Sequence, residues 1–170
     1  YRLNNIIGGK FWNLGVGGTG VMSQFRILYG FYKELKIKNI FHYAPKFPRF
    51  EFIENGKPEY YIISNYQEKW HAKFGDLLAD SILTDEQIEM NWLVYTQAIK
   101  SLANEIGCNY YLIEGDTKSP ENPEDFSLKS RDDFHFSISH HQDIVKQFLN
   151  LYDPTLIDKV DQENGLFELY

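Results

Sequence analysis

Between Lys10 and Ala44 the hydrophobic pattern changes period twice, and that change limits the architecture more than any other property of the chain. Lys10 to Val16 (KFWNLGV) is a short apolar and aromatic run closed by glycines, which predicts a buried strand ending near Gly15 in a tight turn. From Val21 to Lys36 the apolar residues Val21, Met22, Phe25, Leu28, Tyr29, Tyr32 and Leu35 recur at intervals of three and four, the spacing of one face of an amphipathic helix. Asn39 to Ala44 (NIFHYA) then reads as a second strand, stopped by Pro45 and Pro48. Strand, helix and strand in so short a span form a βαβ unit with a parallel pair.

The remainder keeps the alternation of strand and helix. Phe47 to Phe52 is aromatic and charged, Asn55-Gly56 is a turn signal, and Tyr60 to Ser64 fits a short strand or an extended loop. Thr84 is placed to cap a helix whose first turn holds Asp85, Glu86 and Gln87. Its apolar face runs through Ile88, Trp92, Tyr95, Ile99, Leu102 and Ile106 to a stop at Gly107. Cys108 to Ile113 is then a buried strand, Glu114 to Arg131 a polar surface loop, and Ser139 to Tyr152 a final helix. No internal repeat, low-complexity tract or interdomain linker interrupts residues 1–170, so a single α/β domain is expected.

Charge and composition remove several classes of function. The chain has 17 basic and 24 acidic side chains, a net charge of −7, and a general nucleic-acid or anionic-membrane binder needs the opposite field. The densest basic stretch, Lys33 to Lys38, falls where a helix ends and reads as a solvated helix terminus. A 43% hydrophobic content with 13 Phe and 12 Tyr is enough to build a core, yet no apolar run reaches the roughly 20 residues of a membrane helix, so a soluble domain is expected. The single cysteine, Cys108, makes no internal disulfide and leaves the compartment unread.

Two segments carry chemistry. Asn13 to Gly20 (NLGVGGTG) lies at the expected strand-to-helix turn, where glycines let backbone amides approach an anion. Gly15, Gly17 and Gly20 satisfy G-x-G-x-x-G, which keeps a dinucleotide-binding Rossmann domain open, although the ribose-binding acid expected about 20 residues on is absent and position 40 is Ile. A plain glycine turn is the structural alternative. The second segment is Arg131 to His141 (RDDFHFSISHH), in which Asp132 and His135 have the D-x-x-H spacing. That spacing lets a carboxylate accept from one imidazole nitrogen while the other faces a nucleophile, and an Asp that merely caps the helix is the alternative. A zinc or iron site on His135, His140 and His141 with Asp132 and Asp133 is disfavoured, because adjacent histidines point to different helix faces. His42 and His71 read as partly buried structural histidines, and His141 as packing at the helix start.

Taken together and in this order, the two segments resemble the SGNH (GDSL-type) hydrolase family. Asn13 to Gly20 looks like that family's second block, which makes Gly18 the oxyanion-hole glycine. Asp132-Asp133-Phe134-His135-Phe136-Ser137-Ile138-Ser139-His140-His141 looks like its fifth block, D-x-x-H-P-S-x-x-G-H, with Phe136 in place of proline and His140 in place of glycine. Tyr95 to Glu114 is similar to the helix and strand that precede that block, so the resemblance covers about Lys10 to Phe50 and Met90 to Leu151. It implies a three-layer α/β/α, flavodoxin-like fold with a parallel sheet, and hydrolysis of a small-molecule or carbohydrate-linked ester with no cofactor and no metal. His135 and Asp132 are the implied catalytic pair, Gly18 and Arg49 the oxyanion donors, and Asn13, Phe47 and Phe136 the substrate contacts.

The departures are as informative. Arg49 stands where the third block should offer an asparagine amide. The nucleophilic serine of a G-D-S block has no counterpart in the residues before Asn13, and the chain opens on Tyr1, so the expectation is an N-terminally truncated hydrolase with its first strand and nucleophile missing. Ser23 is a poor substitute, since the first helix turn makes it a surface cap or a helix-face residue. The alternative of another class is a non-catalytic binding module of the same fold that recognises carbohydrate through the aromatic stretch Phe47 to Tyr66.

Overall fold

A computed structural model of the chain describes residues 3–14, 20–46, 49–54, 57–62, 84–115 and 138–163. In chain order these form helices α1 (Leu3–Ile7) and α2 (Val21–Leu35), strands β1 (Asn39–Pro45), β2 (Arg49–Glu54) and β3 (Lys57–Ile62), and helix α3 (Asp85–Glu105). Strand β4 (Asn109–Gly115), helix α4 (Ile138–Tyr152), a 3₁₀ turn at Pro154–Leu156 and helix α5 (Asp158–Glu163) complete the order.

β1 and β4 pair in parallel, from Asn39 opposite Asn109 to Pro45 opposite Gly115. A parallel pair exposes neither face cheaply, and helices cover both. On one face Ile40 and Tyr110 pack against Leu28 of α2 and against Ile99 and Leu102 of α3, while Ala44 packs with Val21 and Trp92. On the other, Phe41 meets Phe148 of α4 edge-on at 5.5 Å and Tyr152 at 5.7 Å. Leu149 and Val160, both fully buried, join Val145 and Ile6 in a further cluster that ties α1, α4 and α5 together. Each such side chain stabilises the fold by about 1.5–3 kcal/mol through its removal from water. The result is a mixed α/β structure around a small parallel sheet.

The ends of α3 follow from local chemistry. The Thr84 Oγ1 accepts from the Gln87 amide at 3.2 Å, with Asp85 and Glu86 in the first turn favoured by the helix dipole. At the other end Gly107 takes φ of +70°, and the amides of Cys108 and Gly107 donate to the carbonyls of Ala103 and Asn104. This is a Schellman closure, which needs a residue tolerant of left-handed backbone at that point. α2 ends at Leu35, the last residue of its apolar pattern and one short of the expected Lys36, which takes φ of +47°; Lys33, Lys36 and Lys38 are in solvent.

Three expectations change. Among the described residues of Lys10 to Val16, positions 10–14 form no strand; Phe11 and Trp12 are 37% and 50% exposed. The ladder partner of β1 is β4, and the aromatic run instead lays Phe11 over Phe41 at 6.2 Å. The parallel pair is therefore β1 with β4, with α3 on the path between them, rather than a pair closed across α2. Strand β2 was not anticipated, although Phe50 and Phe52 alternate with Arg49 and Glu51. It pairs antiparallel with β3 from Arg49 opposite Ile62 to Glu54 opposite Lys57, flanking the Asn55-Gly56 signal, and so gives the short strand sought at Tyr60 to Ser64 an earlier start. Finally, Ser23 is not a surface cap but a helix-face residue only 2% exposed, because α2 turns that side of its first turn inward. No described helix is long and apolar enough to cross a membrane.

Candidate functional site

Parallel strands collect ligand-binding groups beyond their carboxyl ends, where loops and helix N-termini converge. Here that end is formed by Ala44, Pro45 and Lys46 of the first strand and its exit, and by Glu114 and Gly115 of β4. Gly20, the extended residue before α2, brings the helix N-terminus to it, and Val21 packs on Ala44. The indole of Trp92 on α3 donates to the Ala44 carbonyl at 3.1 Å, which closes a backbone acceptor that burial would otherwise leave costly. Lys46 Nζ lies 2.9 Å from Glu114 Oε2 and 4.5 Å from the centre of the Trp92 ring, so its cation is held across both strand ends. Gly115 is required by contact: a Cβ there would stand 2.8 Å from Pro45 Cα.

Directly beneath this end lies a chain of buried hydrogen bonds. His42 is 5% exposed; its Nδ1 is 2.7 Å from the Tyr110 hydroxyl and its Nε2 2.7 Å from Gln24 Oε1. Gln24 Nε2 donates to the Tyr43 carbonyl at 3.2 Å, which fixes the amide with its oxygen toward the imidazole. The protons are then assigned by elimination: Nε2–H donates to Gln24, and Nδ1 accepts from the Tyr110 hydroxyl. Burial holds the His42 imidazole below its ordinary 6.5, at about 4, and pushes the Tyr110 phenol upward. The group is a neutral staple that binds α2 to both strands. A histidine alternating inward with Ile40 and Ala44 was its sequence signal, but the partner 68 positions away was not readable.

The residues singled out by sequence are distributed unevenly over this framework. Asn13 is exposed in the segment before α2, and Arg49 opens β2 opposite Ile62. Gly18, Phe47, Asp132, His135 and Phe136 lie outside the described residues, as does His71. α4 begins at Ile138, three residues after His135, and His141 is exposed on its first turn rather than packed. Among the described residues no group of three His, Cys, Asp or Glu side chains is arranged to hold a metal. Cys108 is 8% exposed and burial raises its thiol pKa, so it is a poor nucleophile. Between β4 and α4 an open pocket of about 350 Å³ is lined by Leu112, Ile113, Glu114, Gln147, Asn150 and Leu151, at the same end of the strand as Lys46.

The chain matches no family model, no curated protein and no solved structure.

Proposed function

We propose that this chain carries the acid–base and oxyanion parts of a serine-type ester hydrolase of the SGNH kind, in a three-layer, flavodoxin-like α/β domain. The observation that supports this reading is the placement of the α2 N-terminus, directly after the glycine run, at the carboxyl end of the parallel pair. An amide there faces the region where anions are stabilised in α/β sheets. In the proposed reaction a serine hydroxyl attacks the ester carbonyl while His135 takes its proton and Asp132 orients and stabilises the imidazolium. The Gly18 amide donates to the tetrahedral oxyanion, a contribution of about 3 kcal/mol per donor, and the Arg49 guanidinium is the second donor. His135 then returns the proton to the leaving alkoxide, and water repeats the sequence on the acyl-enzyme. Asn13, Phe47 and Phe136 line the approach of the substrate. Neither Ser23 nor Cys108 fits the nucleophile, which is unassigned among these 170 residues.

A fluorophosphonate probe applied to the complete gene product tests the reading, with the labelled peptide located by mass spectrometry. One serine is expected to be modified, and His135→Ala is expected to abolish labelling and to lower turnover of a short-chain aryl ester by about 10⁶-fold. A folded protein that is neither labelled nor active on such esters would overturn it.

A further inference from the structure

Two apolar stripes face each other between α2 and β1, each carries one polar residue, and the two polar residues meet. On α2 the inward side runs Val21, Gln24, Leu28, and on β1 it runs Ile40, His42, Ala44. Gln24 takes a place where three- and four-residue spacing calls for an apolar side chain. Its terminal amide makes two bonds in different directions: Oε1 accepts from His42 Nε2 at 2.7 Å, and Nε2 donates to the Tyr43 carbonyl at 3.2 Å. The Gln24 backbone amide donates to the Gly20 carbonyl at 3.1 Å, which closes the first turn of α2. One residue thus ties that turn to itself and to the carboxyl half of β1.

A hydrogen bond weakens steeply once its angle falls below about 120°, whereas apolar contact has no direction. Val21 against Ala44 and Leu28 against Ile40 would still hold α2 on the sheet after a small slide or a small rotation about its axis. Neither motion keeps both Gln24 bonds. A satisfied buried polar network stabilises a fold no more than well-packed apolar side chains of the same volume, and what it adds is a single geometry. We propose that Gln24 is a positioning residue, which fixes where the first turn of α2 stands against the carboxyl end of β1 rather than adding to stability. The glycine run leads directly into that turn, so Gln24 acts on the oxyanion through Gly18, a consequence that rests on the hydrolase reading.

Kinetics of the complete gene product on a short-chain aryl ester, with the thermal melt of each variant, separate position from stability. Gln24→Met leaves the His42 Nε2–H without its acceptor and Tyr110→Phe leaves Nδ1 without its donor, so both should melt lower. Only Gln24→Met should lower kcat, by about 10²-fold with KM unchanged, the effect of displacing a donor by about 1 Å. Combining Gln24→Met, His42→Leu and Tyr110→Phe removes all three polar side chains at once; it should recover the melt and keep the low kcat. A kcat that follows the melt through the three variants, or a combined variant with full kcat, would overturn the inference. An unaltered protein without esterase activity would dispose of the hydrolase reading alone, and amide hydrogen exchange at Phe25 and Arg26 then decides. Exchange about tenfold faster there in Gln24→Met and in the combined variant, but not in Tyr110→Phe, supports the positioning role, and equal protection in all three rejects it.

Discussion

Two short aromatic runs of this chain look alike and end in different structures. Lys10 to Leu14 (KFWNL) and Asn39 to Ala44 (NIFHYA) have similar lengths and similar apolar content. The second became the strand β1, paired along its whole length with β4 and covered by helices on both faces. The first is irregular, with Gly8 and Gly9 at φ of +76° and +96° before it and with Trp12 half exposed under a cation from Lys10 at 4.6 Å. The contrast shows that apolar content selects burial, whereas a strand also needs a ladder partner for every backbone group. Two tryptophans sit on either side of that divide, Trp92 at 8% exposure with its N–H on the Ala44 carbonyl and Trp12 at 50%.

The largest effect that separates the two regions belongs to Trp92→Ala. The substitution removes a ring packed on Val21 and Ala44 and leaves the Ala44 carbonyl without its donor. A loss of about 3–5 kcal/mol is expected in urea unfolding at neutral pH. A loss below about 1 kcal/mol would mean that the strand end relaxes to fill the space, and the contrast would fail at its stronger side.

What could be read in advance follows the same division. Helices α2, α3 and α4 were legible to within a few residues, because three- and four-residue spacing, the Thr84 cap and the Gly107 stop are local properties of sequence. β1 and β4 were legible as strands, but that they pair with each other was not, since the two segments lie some 70 positions apart and nothing local records a partner. The same limit misplaced Lys10 to Val16. It also hid the His42, Gln24 and Tyr110 chain, whose three members come from three elements. Of the site, Asn13 and Arg49 can be located on the framework, whereas Asp132, His135, Gly18, Phe47 and Phe136 fall outside the described residues. Their grouping rests on motif spacing alone.

A pH series sharpens the contrast from within β1, because that strand buries an ionisable group and the irregular run does not. Folded His42 takes a proton only near pH 4, while the unfolded chain takes it near 6.5. Between those values the unfolded state binds more protons, so stability is full above about 6.5, falls as the pH drops, and levels off below about 4. The difference of roughly 2.5 units corresponds to about 3 kcal/mol at most. His42→Gln should be less stable at neutral pH and should lose this part of the pH dependence. Unfolding free energies measured from pH 7 to pH 4 with equal slopes in both proteins would show that the imidazole is not a buried neutral group.

The smallest effect completes the pair of tryptophans. Trp12→Ala removes an indole whose exposed half gains little on folding, and whose contact with the Lys10 ammonium is a surface cation–π interaction of about 0.5–1 kcal/mol at best. The expected change is therefore under about 1 kcal/mol, several-fold less than at Trp92 although the same side chain is deleted. The two residues are also separable by fluorescence, since an exposed indole is reached by iodide and a buried one is not. In a Trp70→Phe background, which removes the third indole of the chain, iodide quenching that fades on Trp12→Ala but persists on Trp92→Phe would place the accessible emission at position 12. A stability loss at Trp12 equal to that at Trp92 would instead assign Lys10 to Leu14 to the core, and the divide between a run that found a ladder and one that did not would vanish.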